Sequence, residues 1–271
     1  MLGWSREVEQ AFHERLAWAV ILSSIPIFFV LLFVIPSPYG KTLRTDWYLG
    51  PHLPARACWF LFETPNLIWC AVGLGQRMAS RQSPHAAPGW PPWPNFILLV
   101  LFTLHYTQRT ILYPLRMTTQ SQPIPALVAA LAIFFTTING YLQVSGLLEF
   151  HHLPPGYGTN PVFGAGVCLF LYGASINLQS DATLRRLKAQ GKGYQIPRGG
   201  WFERLSAPHY FGELLEWTGF GIAARGSLAT VAFVIFTAAN LIPRGVAHHA
   251  WYRSKFPDYP RRRYAVLPGT W

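Results

Sequence analysis

The segment Leu16–Pro36 runs for 21 residues without a charged side chain, and about 20 apolar residues suffice to cross the hydrocarbon of a bilayer. It is too long for the apolar region of a cleaved signal, and comparable runs follow it. Inside lipid every backbone polar group must be bonded within its own segment, so such runs become helices. The pattern predicts seven spans, roughly 16–36, 55–76, 94–115, 123–148, 161–180, 206–224 and 226–243. Turn residues fall between them, at Pro36–Gly40, Pro84–Pro94, Pro123–Pro125, Pro154–Gly158 and Arg225-Gly226. Charged residues make up only 12% of the chain, against about 25% in soluble domains. The expected fold is therefore all-α: a polytopic membrane protein forming one domain over residues 1–271.

The net charge of +11 would suit a nucleic-acid binder, but in a polytopic chain it follows from the retention of Lys and Arg on the cytoplasmic side. Arg185, Arg186, Lys188, Lys192, Arg198 and Arg204 precede the sixth span. Arg244, Arg253, Lys255 and Arg261–Arg263 follow the seventh. This places the C-terminus in the cytoplasm and the N-terminus across the membrane. Lys41, Arg44 and Arg116 fit the scheme, whereas Arg77, Arg81 and Arg225 do not. Cys58, Cys70 and Cys168 lie inside apolar runs without zinc or disulfide spacing and read as core residues.

Ionisable groups inside spans mark function by default. Glu63 interrupts the apolar stretch Trp59–Cys70. Glu213 and Glu216 share a helix face, with His209 four residues earlier on the same stripe. His105, Tyr106 and Arg109 form a polar turn, and Asn139/Gln143 and Asn177/Asp181 are further pairs four apart. Each alone could be an interhelical hydrogen bond; together they predict a cavity. The run Gly219–Ala224 has the form of a dinucleotide fingerprint, yet it lies within a span rather than after a strand, so close helix packing is the better reading. His151-His152 and His248-His249 lack the helical spacing of a metal site, and no metal is expected.

Several ordered segments resemble the steroid 5α-reductases. Leu53–Pro65 is similar to the segment that carries that family's catalytic glutamate, and His105–Thr110 to its HY-x-x-R-T segment. Ile176–Asp181, Tyr194–Gly200, Tyr210–Trp217 and Tyr252–Pro260 continue the likeness to the end of the chain. The resemblance implies seven helices enclosing a cavity for cofactor and lipid substrate, with NADPH reducing the 4,5 double bond of a 3-oxo-Δ4-steroid. It assigns Glu63 and Tyr106 to the 3-oxo group. It assigns Asn177, Asp181, Arg185, Tyr194, His209, Glu213, Trp217, His248, Tyr252 and Arg263 to the cofactor. Arg109 and Arg244 join that set through their position near the same membrane face. The implied partners are the bilayer and a steroid, with no nucleic acid, in a monomer of the endoplasmic reticulum or a bacterial inner membrane.

Departures from the family pattern are Phe62 for glutamine, His209 for asparagine, Lys188 for arginine, and the segment Met117–Gln122. A reductase of another enone or enoyl lipid is the alternative on this fold. A transporter predicts symmetric halves, which are absent, and nothing marks a methyltransferase's adenosylmethionine site.

Overall fold

The structure, a computed structural model, describes residues 1–43, 46, 48–80, 90–118 and 121–270. Arg44, Arg81, residues 84–89 of the turn-rich connector and residues 119–120 of Met117–Gln122 lie outside the described residues. Helix accounts for 73% of the chain, in agreement with the all-α expectation. The helices are α1 (Arg6–Phe29), α2 (Ala55–Ser80), α3 (Trp93–Thr107), a single turn α4 (Tyr113–Leu115), α5 (Ala126–Ser145), α6 (Pro161–Ala189), α7 (Pro208–Ala223) and α8 (Leu228–Lys255). The strands β1 (His52–Leu53) and β2 (Ile124–Pro125) pair antiparallel, with His52 opposite Pro125. They tie the start of α2 to the start of α5.

Among the described residues, six stretches are long and apolar enough to cross a membrane: Arg6–Val34, Ala55–Ala79, Trp93–Leu115, Ala126–Phe150, Pro161–Ala189 and Leu228–Lys255. The remaining long helix, α7, has 16 residues and a length of about 24 Å, short of the hydrocarbon's roughly 30 Å.

Three helices extend well beyond the expected spans, each for a local reason, and α2 runs on to Ser80. The first begins ten residues early because Glu9 is neutralised within the fold. Its carboxylate accepts from the Met1 ammonium at 2.8 Å and the Tyr141 hydroxyl at 3.3 Å. The helix α6 continues to Ala189, carrying its basic residues beyond the apolar part. The helix α8 passes through Pro243 to Lys255, because a proline inside a membrane helix can be accommodated when its neighbours bond the freed carbonyl. Cys58 and Cys70 are buried as expected, but Cys168 is exposed on α6: its run is apolar because it faces outward, where lipid would lie.

The helices α6 and α7 pack through a seam of glycines, Gly166 and Gly173 on one, Gly212 and Gly219 on the other. A β-carbon on Gly173 would stand 2.3 Å from the Glu216 amide nitrogen, and one on Gly219 would stand 2.4 Å from that of Phe170. Only hydrogen fits at such separations, and small residues at a helix interface allow this approach. The fingerprint-like run Gly219–Ala224 is thus part of a helix contact.

At the other edge of the seam lies an aromatic core of Phe102, Tyr106, Phe170, Trp217, Phe220 and Phe233. The segment after α1 returns to the same end of the bundle as the close of α8, where Lys41 Nζ sits 4.6 Å from the centre of the Tyr252 ring. At the opposite end Arg77 pairs with Glu149 at 3.1 Å, and Arg225 lies 5.2 Å over Tyr157.

Candidate active site

A polar chain crosses the apolar core. Gln143 Nε2 donates to the Ala229 carbonyl at 2.9 Å and to Asn139 Oδ1 at 3.2 Å. With its oxygen so engaged, Asn139 presents its NH2 group outward. It donates to the Tyr106 hydroxyl oxygen at 3.2 Å and to Asn66 Oδ1 at 3.4 Å. The hydroxyl of Tyr106 is therefore an acceptor toward Asn139, and its own proton points elsewhere. Asn139 and Gln143 thus act on Tyr106, beyond the helix-to-helix bond expected of either alone.

Glu63, on α2, is half-buried; the charges that act on it are Arg109, Glu213 and His105. Tyr106 in turn experiences Glu63 foremost among the charged groups around it. The two expected carbonyl-binding residues, from α2 and α3, therefore belong to one electrostatic cluster. Thr136 donates to the Phe62 carbonyl at 2.5 Å, which braces the turn of α2 that carries Glu63. Phe62 itself packs with Cys58, Ile124 and Ala129.

Arg109 links this cluster to α6 and α7. Its guanidinium lies 3.5 Å from Asp181 and 3.9 Å from Glu213, and 4.5 Å over the Trp59 ring. Asn177 donates to the His209 carbonyl at 3.0 Å and to Glu213 Oε2 at 3.4 Å. The i, i+4 stripes read from the sequence meet here across the glycine seam.

Toward the Lys41 end, buried polar nitrogens collect without partners. Arg185 Nη1, His209 Nδ1, Arg244 Nε, both ring nitrogens of His248, and Nε and Nη1 of Arg263 have no hydrogen-bond partner among the described residues. Arg263 is only 2% exposed, and its one ion pair, 3.5 Å to Glu203, uses one edge of the guanidinium. The Gly199 amide, donating at 2.6 Å, holds the Glu203 carboxyl below its usual range. Arg244 packs 3.6 Å over Tyr39. Tyr252 stacks on Tyr259 with 5.2 Å between centroids. Burial lowers Lys41 to about 8. Buried cationic donors left unpaired are costly, which is the signature of a surface completed by an anionic ligand.

Two expected cofactor residues stand apart from this cluster of unpartnered nitrogens. Trp217 is 1% exposed inside the aromatic core, stacked near Tyr106 at 5.9 Å. Tyr194 is 44% exposed at the rim, edge-on to Trp251.

Residues 122–271 match the family described as 3-oxo-5-alpha-steroid 4-dehydrogenase. The chain is 39% identical over 235 residues to the 3-oxo-5-alpha-steroid 4-dehydrogenase 1 of Rattus norvegicus, with 86% of each covered. The chain belongs to the 3-oxo-5-alpha-steroid 4-dehydrogenase family. The Homo sapiens relative of the same name is 41% identical over 239 residues, covering 85% of this chain and 88% of its own. The steroid 5-alpha-reductase DET2 of Arabidopsis thaliana is 38% identical over 250 residues, covering 88% and 89%. This 3-oxo-5-alpha-steroid 4-dehydrogenase family member is thus an oxidoreductase and a multi-pass membrane protein.

Three of its site features had no sequence signal of their own. Tyr39 and Lys41 sit in a loop without periodicity. The partner of Glu216 is His105, at 2.7 Å, a contact between residues far apart in the chain. Lys188, which stands where the family pattern has arginine, instead donates to Ser121 at 3.0 Å.

Proposed function

We propose that this protein is an NADPH-dependent steroid 5α-reductase that saturates the 4,5 double bond of a 3-oxo-Δ4-steroid. The observation that carries the reading is the hydroxyl of Tyr106, whose oxygen is filled by Asn139 and whose proton is left for an acceptor beside Glu63. As hydride arrives at C5, negative charge grows on the 3-oxo oxygen. Donors aimed there stabilise the transition state more than the ground state. Glu63 serves as the second donor in its protonated form.

The dinucleotide is read from the unpaired donors. Arg185, Arg244, Arg263 and Lys41 suit its phosphates, while Asp181 and Glu213 suit hydroxyl or amide donors. His209, His248, Asn177 and Tyr252 complete the wall, Arg109 fixes the two carboxylates, Tyr194 lies at the mouth, and Trp217 backs Tyr106. A reduced nicotinamide bound there supplies the hydride. We read the chain as one seven-span domain in which α7, packed on α6, is the short seventh span, a monomer with its C-terminus in the cytoplasm, in the endoplasmic reticulum or a bacterial inner membrane.

The test is incubation of the purified protein with NADPH and testosterone or progesterone, followed by mass spectrometry. A product heavier by two hydrogens is expected. No product from any 3-oxo-Δ4-steroid, with reduction of an enoyl lipid instead, would replace this reading by the alternative one.

A second expectation concerns pH. Since Lys41 titrates near 8, a nearby phosphate favours its charged form and raises its pKa on binding. Affinity for NADPH is then level below that pH and falls as pH rises through it. Fluorescence titration should show this slope in the wild type, and Lys41→Gln should bind more weakly with the slope reduced.

A further inference from the structure

The reaction proposed above leaves one requirement unmet: the enolate formed when C5 accepts hydride needs a proton at C4. Glu63 and Tyr106 are committed to the oxygen, so the donor must be another group on the same wall.

His105 precedes Tyr106 on α3, and the two rings lie 5.0 Å apart. Its Nδ1 meets Glu216 Oε1 at 2.7 Å, with the two side chains 6% and 3% exposed. Glu216 is held in place because α6 crowds its backbone at Gly173. Trp217 closes one side of the imidazole at 4.5 Å and also stacks on Tyr106. The charged groups facing His105 are Glu216 and Glu213 from α7, Arg109 from the turn that follows α3, and Glu63 from α2. Nε2 has no hydrogen bond among the described residues. A carboxylate fixed on Nδ1 settles the orientation of the ring and leaves Nε2 as the nitrogen that exchanges protons.

We propose that the Glu216–His105 pair holds the proton delivered to C4, with His105 Nε2 as its donor. This rests on the reductase reading above. The step balances as follows. Hydride forms the C5–H bond while the C4=C5 electron pair moves to C3–C4 and the carbonyl pair moves onto oxygen. The Nε2–H bond then breaks, C4–H forms from the enolate pair, and the carbonyl is restored. Neutral His105 regains a proton from water.

His105→Gln should lower kcat by on the order of 100-fold, with KM and NADPH affinity nearly unchanged. Its solvent deuterium isotope effect should rise while that from deuterated nicotinamide falls, because protonation becomes limiting. Imidazole added to His105→Ala should restore turnover. Glu216→Gln should show the same isotope pattern with a smaller loss. NADPH binding and thermal melting report folding; if His105→Gln fails to fold, the isotope effects of Glu216→Gln decide the matter. Wild-type isotope effects in the folded variants would overturn the proposal and leave the reductase reading standing. Wild-type protein that oxidises no NADPH with any 3-oxo-Δ4-steroid would overturn both.

Discussion

Glu63→Ala is expected to reduce turnover by at least about 10²–10³-fold, the usual effect of removing one donor from a developing oxyanion, while NADPH still binds. Glu63 lies on α2, whereas the unpaired cationic donors come from α6, α8, the tail and the loop around Lys41. Its removal therefore leaves those donors in place. The informative companion is Tyr106→Phe, which deletes the hydroxyl but keeps the ring against Trp217. It should lose activity comparably without loss of stability beyond that of the Asn139 bond, about 1 kcal/mol. Single-turnover kinetics at saturating NADPH, with cofactor affinity measured separately, would check both. Near wild-type turnover in Glu63→Ala would remove that residue from the carbonyl site.

The second large effect turns on a single methyl group placed at two points on α6. Gly173→Ala puts a β-carbon 2.3 Å from the Glu216 backbone, whereas Gly164→Ala meets nothing within 4 Å. Overpacking against side chains costs about 1–3 kcal/mol because they can rotate away; a facing backbone has no such freedom, so Gly173→Ala belongs at or above the upper end. Gly164→Ala should instead stabilise by about 0.5–1 kcal/mol, as alanine does in a helix interior. Thermal unfolding in detergent would show one variant falling and the other holding or rising. The former should also lose NADPH affinity, since moving α6 parts Asn177 from Glu213. Equal melting temperatures would contradict the close contact.

Much of this arrangement was legible because lipid imposes strict rules on sequence. Charge-free runs marked the spans, and polar residues within them marked Glu63, Tyr106, Arg109, Asn177, Asp181, His209 and Glu213, which the fold gathers into one polar cluster. Helix ends were less legible, because a charge such as Glu9 looks like a boundary until its tertiary partners are known. Pro243 likewise looks like a stop, although α8 continues through it. Glu216 lay on a readable stripe but acquired a partner only when α3 brought His105 to it. Tyr39 and Lys41 were unreadable as site residues, since their place depends on how the chain after α1 folds back over α8.

The glycine seam also bears on how such an enzyme can diverge. Where two backbones touch, no side-chain volume is left to vary, so the wall formed by α6 and α7 is closed to gradual change. Elsewhere in the bundle, α2 and α5 meet through Phe62, Cys58 and Ala129, residues whose bulk can change one carbon at a time. Adaptation to new substrates should therefore accumulate on the α2–α5 side, while α6 and α7 stay fixed against each other. A mutational library selected for altered steroid preference would reveal that asymmetry as a one-sided map of accepted substitutions.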